Sequence, residues 1–101
     1  MVRWHRTIRT MAGKNAEVRQ WANEITELLN KKTSQQVSFQ VFREEFGFPT
    51  AIHWYADFEN LAVLEKEMGK LQANEEYLAL TNKAADFLIP GSAKDTLVRS
   101  L

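Results

Sequence analysis

The order of hydrophobic patterns predicts an α+β fold with the element order βαββαβ. Three observations lead to this prediction: short runs in which apolar and polar residues alternate, longer segments with helical spacing, and breaks rich in Gly or Pro between them. At 101 residues, we expect a single domain that covers residues 1–101. Such an order specifies an architecture, but it does not by itself specify a reaction.

The N-terminal third is predicted to form a strand and then an amphipathic helix. From Val2 to Arg9, mostly apolar positions alternate with polar ones, at the period of two expected of a strand. After Gly13, six apolar residues recur at spacings that keep them on one side of a helix. These residues are Val18, Trp21, Ala22, Ile25, Leu28 and Leu29. The pair Lys31 and Lys32 suits the carboxyl end of the helix dipole.

Two further strands are predicted to pair as a hairpin. An alternating run over residues 37–41 resumes at 51–56, and the segment between them contains Gly47 and Pro49. We favour the register that places Trp54 with Val41 on the helix-covered face, because it collects the apolar residues of both strands there. In that register His53 and Tyr55 face the other way, and a slip of one residue would exchange the two sets.

A broken second helix and a closing strand complete the predicted order. Asp57 or Asn60 can cap a helix whose apolar stripe runs from Leu61 to Leu71. Asn74, followed by Glu75 and Glu76, is typical of a new helix start, and Pro90-Gly91 ends the second stripe. Residues 96–101 are predicted to be the last strand.

Composition excludes several classes of function. Thirteen basic and thirteen acidic residues cancel, so we expect no nucleic-acid partner and no attraction to an anionic membrane. The absence of cysteine removes disulfides, thiolate zinc sites and cysteine nucleophiles. The sequence shows neither an apolar signal segment nor eighteen consecutive apolar residues, so we expect a cytoplasmic protein without a membrane span.

The predicted topology leaves one face of the sheet bare. Right-handed crossovers place the strands in the order 4-1-3-2 with both helices on one face. The other face is expected to carry Phe42 and Phe46, together with Tyr55 or Trp54, which is a large aromatic surface to leave in water. We therefore expect a homodimer in which the two bare faces pack together.

Three short segments are typical of one known superfamily: residues 54–61, 74–77 (Asn-Glu-Glu-Tyr) and 89–92 (Ile-Pro-Gly-Ser). With these segments and the predicted topology, the chain resembles the dimeric α+β barrel superfamily, whose ferredoxin-like domains have a four-stranded antiparallel sheet with two helices on one face. Within it, the chain is most similar to small NIPSNAP-like domains. The superfamily includes cofactor-free oxygenases, haem-degrading enzymes, lactone isomerases and members with no known reaction, so the resemblance implies a fold and no particular chemistry.

A pocket for a small, largely apolar molecule is expected between the sheet and the helices. Aromatic walls with a few polar groups are typical of such sites, and a volume of about 300 Å³ or more would suit a ligand. The expected ligand-binding residues are Trp4, Arg6, Phe39, Arg43, Trp54, Tyr55 and Tyr77. Either arginine would orient a carboxylate or carbonyl group, unless Glu44 or Asp57 neutralises it; a structural salt bridge is the favoured interpretation.

His5 and His53 are the side chains that titrate nearest neutral pH, and a suitable register of their neighbouring strands would bring them to one face. His53 is the candidate catalytic base. Two histidines and a carboxylate can hold a metal, but their spacing carries no metal signature, so no metal site is predicted. Neither predicted helix contains the histidine that haem-degrading relatives use, and glycine-rich phosphate loops are absent. We therefore expect no cofactor.

Three functions remain open. The first is a homodimeric protein that binds a small apolar ligand. The second is a cofactor-independent oxygenase or isomerase that uses the same pocket, with His53 as the base. The third is a structural dimerisation module without a ligand, whose aromatic residues only pack.

Overall fold

The computed structural model describes residues 1–48 and 50–101 and confirms the predicted order of elements. The strands are β1 (Val2–Arg9), β2 (Phe39–Arg43), β3 (Ala51–Phe58) and β4 (Lys94–Arg99). The helices are α1 (Asn15–Lys32), α2 (Leu61–Gln72) and α3 (Glu75–Lys83), with a short 3₁₀ turn at Ala84–Asp86. The fold is therefore the predicted α+β arrangement.

The four strands form one antiparallel sheet in the order β2-β3-β1-β4, which is the predicted order read from the other edge. Val41 lies opposite Trp54, so the favoured hairpin register is confirmed. Along β1 and β3, even-numbered residues consequently face the helices, whereas odd-numbered residues face away. We call these two sides the covered face and the open face.

The core lies between the covered face and α1. All six residues of the predicted α1 stripe are at most 8% exposed, as are the covered-face residues Trp4, Trp54 and Phe58. The buried hydroxyl of Thr26 accepts a hydrogen bond from Trp54 Nε1 at 2.9 Å, so the helix is joined to β3 by a polar contact within the apolar layer. Burial of this stripe, more than helix propensity, holds α1 in place.

The second helical segment is broken, as predicted. Asn60 caps α2 by accepting from the backbone N–H of Val63, and Asn74 caps α3 by accepting from that of Tyr77. Asp57, the alternative cap, lies inside β3 and pairs with Arg3. None of these helices is both long and apolar enough to span a membrane, within the described part of the chain.

Two strands begin at residues other than the predicted ones. β2 begins at Phe39 because Val37 donates its backbone N–H to Ser34 in a turn. β4 begins two residues before the predicted start, because Lys94 and Asp95 continue the pairing with Thr7 and Arg6 of β1. The β2–β3 connection contains Gly47 as predicted, while Pro49 lies outside the described residues.

Candidate functional site

A cavity of about 130 Å³ lies between the covered face and the helices. Most of its walls are apolar, and all three tryptophans of the chain contribute to them. The lining residues are Trp4, Arg6, Ile8, Trp21, Ile25, Leu29, Phe39, Trp54, Met68, Tyr77, Thr81, Ala84, Leu88 and Ala93. Apolar walls with few polar groups are the usual features of a small-molecule site.

The tryptophan N–H groups are already engaged by the protein. Trp21 donates to the carbonyl of Leu80 at 2.7 Å, and Trp54 donates to Thr26 at 2.9 Å. The hydroxyl of Thr81 likewise donates to the carbonyl of Tyr77. The deep walls therefore offer shape and apolar contact to a ligand, and the polar contacts must come from the edge of the cavity.

Arg6 forms this polar edge. Its Nε and Nη2 donate to the two carboxylate oxygens of Asp95 at 2.7 and 2.8 Å, while its guanidinium lies 5.2 Å from the centroid of the Trp4 ring. The Arg6 side chain is 36% exposed, so it borders both the cavity and solvent. We call the region around Arg6, Tyr77 and Asp95 the cavity mouth.

At the cavity mouth, Arg6 and Asp95 each stabilise the charged form of the other. Hydrogen bonds from Arg6 hold the pKa of Asp95 below its usual range, despite partial burial, and Trp4 Nε1 adds a weaker bond at 3.4 Å. The pKa of Arg6 is raised, mainly by its hydrogen bond with Asp95 and to a smaller extent by Tyr77. At neutral pH, Arg6 and Asp95 therefore form an ion pair at the cavity mouth.

Five of the expected ligand-binding residues line this one cavity: Trp4, Arg6, Phe39, Trp54 and Tyr77. The sequence suggested Glu44 or Asp57 as the anionic partner of Arg6. In the structure that partner is Asp95, which lies directly opposite Arg6 on β4. Sequence reasoning missed Asp95 because the last strand was predicted to begin at Thr96. The sequence did contain a signal, because Asp95 lies two residues before Leu97 and would share its face in a longer strand.

Arg43, Tyr55 and His53 do not reach this cavity. Arg43 lies opposite Ile52 at the end of β2, where it pairs with Glu45 at 3.6 Å and lines a separate depression near the start of α1. Tyr55 and His53 project from the open face, because they alternate with Trp54. His53 therefore lies outside the helix-covered cavity in which the oxygenase or isomerase hypothesis would use it as a base.

The open face instead carries a chain of hydrogen-bonded polar side chains. Glu44 Oε1 lies 2.8 Å from His53 Nε2, and His53 Nδ1 lies 2.8 Å from His5 Nε2. The hydroxyl of Thr7 lies 3.0 and 3.2 Å from the same two facing nitrogens. We call Glu44, His53, His5 and Thr7 the histidine network.

The positions of the protons follow from this geometry. Two lone pairs or two N–H groups would repel at 2.8 Å, so one proton lies between the histidines. The ionised Glu44 accepts from His53 Nε2, which leaves His53 Nδ1 to accept from His5 Nε2.

The loop after β2 holds the carboxylate end of this network. The backbone N–H of Phe48 donates to Glu44 Oε2, and this bond, followed by the one to His53, lowers the pKa of Glu44. Gly47 has a φ of +113°, and a Cβ at this position would lie 2.5 Å from Glu44 Oε2. At the other end, partial burial and then the neighbouring His53 lower the pKa of His5.

Aromatic side chains surround the histidine network. The ring of Tyr55 stacks on His5, with centroids 4.4 Å apart, and Phe42 packs edge-on against Tyr55 at 5.7 Å. Arg3 and Asp57 form a bidentate ion pair beside them. Within residues 1–48 and 50–101, no group of three or more acidic, histidine or cysteine side chains is arranged to hold a metal ion.

Solved structures with the same fold include proteins of two kinds. A NIPSNAP domain protein from Burkholderia xenovorans has a TM-score of 0.81 and 15% identity, over 100% of this chain and 95% of that one. A NIPSNAP family protein of unknown function from Agrobacterium tumefaciens has a TM-score of 0.81 and 18% identity, over 99% and 87%. A putative antibiotic biosynthesis monooxygenase from Nitrosomonas europaea has a TM-score of 0.75 and 13% identity, over 100% and 99%.

These similarities confirm the NIPSNAP-like fold that the sequence suggested, and at such identities they show the fold alone. No curated protein matches the chain significantly. Residues 2–90 match one protein family over most of the chain, from β1 to the segment that precedes β4. The chain therefore belongs to this family, a family of unknown function (DUF6039).

Proposed function

We propose that this protein binds a small, largely apolar ring compound in the cavity between the covered face and the helices. The observation that carries the proposal is the cavity itself, whose apolar walls end at one polar mouth. Its volume of about 130 Å³ is less than half of the size expected from the sequence. It approaches the roughly 150 Å³ of an apolar cavity known to take up benzene, so the ligand body is about one six-membered ring.

The mouth supports a ligand with one polar group. Arg6 uses two of its five N–H groups on Asp95, so an N–H group that Asp95 does not occupy can donate to a ligand atom at the edge of the cavity. Tyr77 lines the same cavity and also interacts with Arg6. A ring buried among the tryptophans, with an acceptor atom near Arg6, would satisfy both the apolar walls and the polar mouth.

The cofactor-independent oxygenase or isomerase has less support. One similar fold belongs to a putative antibiotic biosynthesis monooxygenase, but the described residues that line this cavity include neither a histidine nor a carboxylate. Catalysis there would depend on the reactivity of the substrate and on Tyr77. Binding without turnover is the simpler proposal.

Filling the cavity tests the proposal. Ala84, which is 5% exposed, lines the cavity, so we expect Ala84→Leu to reduce the affinity for benzamide at least tenfold without lowering the melting temperature by more than a few degrees. Tryptophan fluorescence reports binding, because all three indoles line the cavity. Ala79→Leu, on the exposed side of α3, is the matched control and should bind as the wild type does.

Two results would refute the proposal. One is a wild-type protein that binds no single-ring probe at millimolar concentration. The other is Ala84→Leu and Ala79→Leu binding with equal affinity. If Ala84→Leu does not fold, Ala93→Leu at the edge of the same cavity replaces it. If the wild type binds no single-ring probe, the structural dimerisation module without a ligand is the remaining function.

We further propose that a second copy of the chain covers the open face. The dimeric α+β barrel proteins that the chain resembles support this partner, as does the aromatic surface formed by the half-exposed Phe42 beside Tyr55. Val98 of β4 adds a second exposed apolar residue to the same face. A two-fold arrangement would bury both patches.

Phe42→Glu tests this dimer. We expect the wild type to have a dimeric mass at micromolar concentration and the variant to be at least half monomeric, because a buried unpaired carboxylate is costly. Light scattering or native mass spectrometry gives the masses. Leu78→Glu is the control, since Leu78 is similarly exposed but lies on α3. A monomeric wild type would contradict the proposal.

A further inference from the structure

Asp95 places a carboxylate directly beside Arg6 at the cavity mouth. Its carboxylate accepts two hydrogen bonds from Arg6, at 2.7 and 2.8 Å, and a longer one from Trp4 at 3.4 Å. Arg6 and Trp4 both line the cavity. Among the described residues, Arg6 supplies the one guanidinium that borders the cavity, and its bidentate edge is already occupied by an anionic partner.

A carboxylate ligand would be in an unfavourable position at this mouth. To reach the Nε edge of Arg6 it would have to displace Asp95, which is built into β4 opposite Arg6. To use the remaining N–H groups it would sit on the same guanidinium as Asp95, and two carboxylates sharing one site repel each other. A neutral acceptor, such as a carbonyl oxygen, can take a remaining N–H group without bringing a second negative charge.

We propose that Asp95 is a specificity-determining residue, which makes the cavity select neutral ring compounds that carry a carbonyl group over ring compounds that carry a carboxylate. This inference rests on the proposed function, because it concerns the same cavity. It also narrows that function, since the apolar walls alone would accept either ligand. Arg6 thus donates a hydrogen bond to a neutral acceptor atom of the ligand and does not bind an anionic ligand.

The chain offers a close internal comparison. Arg3 and Asp57 form the same bidentate pair, at 2.7 and 3.0 Å, between neighbouring strands. That pair lies on the open face, and neither residue lines the cavity. Substitution of Asp57 therefore removes a similar charge from the protein without changing the mouth.

Benzamide and benzoate are suitable probes, because they have nearly the same shape and differ in charge. Both are titrated into the wild type, Asp95→Asn and Asp57→Asn, with tryptophan fluorescence as the readout. In the wild type we expect benzamide to bind at least about tenfold more tightly than benzoate, since like charges within about 6 Å repel strongly in a partly buried site. Asp95→Asn should bring the two affinities within about threefold, mainly by improving benzoate.

Asp57→Asn is the control, and it should keep the wild-type preference for benzamide over benzoate. The inference is overturned if the wild type binds benzoate as well as benzamide, or if Asp95→Asn leaves the preference unchanged while both probes bind. If neither probe binds to any variant, the inference fails together with the proposed cavity function, which is a distinguishable result. Asp95→Ser repeats the test if Asp95→Asn does not fold.

Discussion

The two faces of the sheet are built from the same strands, but they have different chemistry. Along β1 and β3, the even-numbered tryptophans Trp4 and Trp54 form apolar walls, and their indole N–H groups bond to the protein. The odd-numbered residues supply His5, Thr7 and His53 to the histidine network and form the Arg3–Asp57 pair. The comparison shows that strand alternation can assign ligand contacts to one side and titratable groups to the other.

Trp54 and Tyr55 test whether stability depends mainly on the covered face. Trp54 is 3% exposed and bonds to Thr26, so we expect Trp54→Ala to lower the free energy of unfolding by about 3–5 kcal/mol. Tyr55→Ala should cost less than half as much, because its ring remains partly exposed. Urea denaturation of dilute protein gives both values. Equal losses would contradict the distinction between the faces.

Gly47 tests whether the loop after β2 shapes the histidine network. Gly47→Ala and Gly13→Ala both place a Cβ at positive φ, which costs roughly 1–2 kcal/mol. Only at Gly47 does the added atom meet Glu44, whereas nothing lies within 4 Å at Gly13. We therefore expect the larger loss of stability at Gly47, together with shifted imidazole NMR signals of His53. Identical behaviour of the two variants would show that Glu44 moves away freely.

Acidification should affect the open face first. The folded protein lowers the pKa of His5, so below the ordinary value of 6.5 the unfolded chain binds more protons than the folded one. Stability should then fall as the pH drops from 6.5 through the lowered pKa of His5. The pKa of Glu44 is also lowered, and its stabilising effect is lost only at more acid pH, below its ordinary value of 4.5.

His5→Gln separates these two pH ranges. The variant should lose most of the stability change between pH 7.5 and 5.5 and keep the change below pH 4.5. Denaturation curves of the wild type and the variant at these pH values measure the difference. A wild type whose stability is unchanged between pH 7.5 and 5.5 would contradict the expected role of His5.

Much of the fold could be predicted because it depends on local patterns. The α1 stripe from Val18 to Leu29, the cap at Asn74 and the alternation along β1 each follow from the residues themselves. The apolar run of β3 also decided the hairpin register, because only one register buries Trp54. Five of the seven expected ligand-binding residues consequently line the same cavity.

The errors concern contacts between distant parts of the chain. Arg6 was recognised as a residue that needs a partner, but Asp95 is 89 positions away and lay outside the predicted strand. Arg43 was grouped with Arg6 by residue type, although the structure separates them along the sheet. His53 was assigned to the ligand pocket in one hypothesis, although the alternation with Trp54 already favoured the open face.

By itself, the sequence determined the α+β order of elements, the strand faces and the aromatic character of the cavity, because burial follows local periodicity. Only the tertiary structure decided that the cavity holds about 130 Å³, that Asp95 pairs with Arg6 at its mouth, and that Glu44, His53 and His5 meet in one network. These properties depend on packing and side-chain geometry across strands that the chain connects at long range, and no local pattern records such distances.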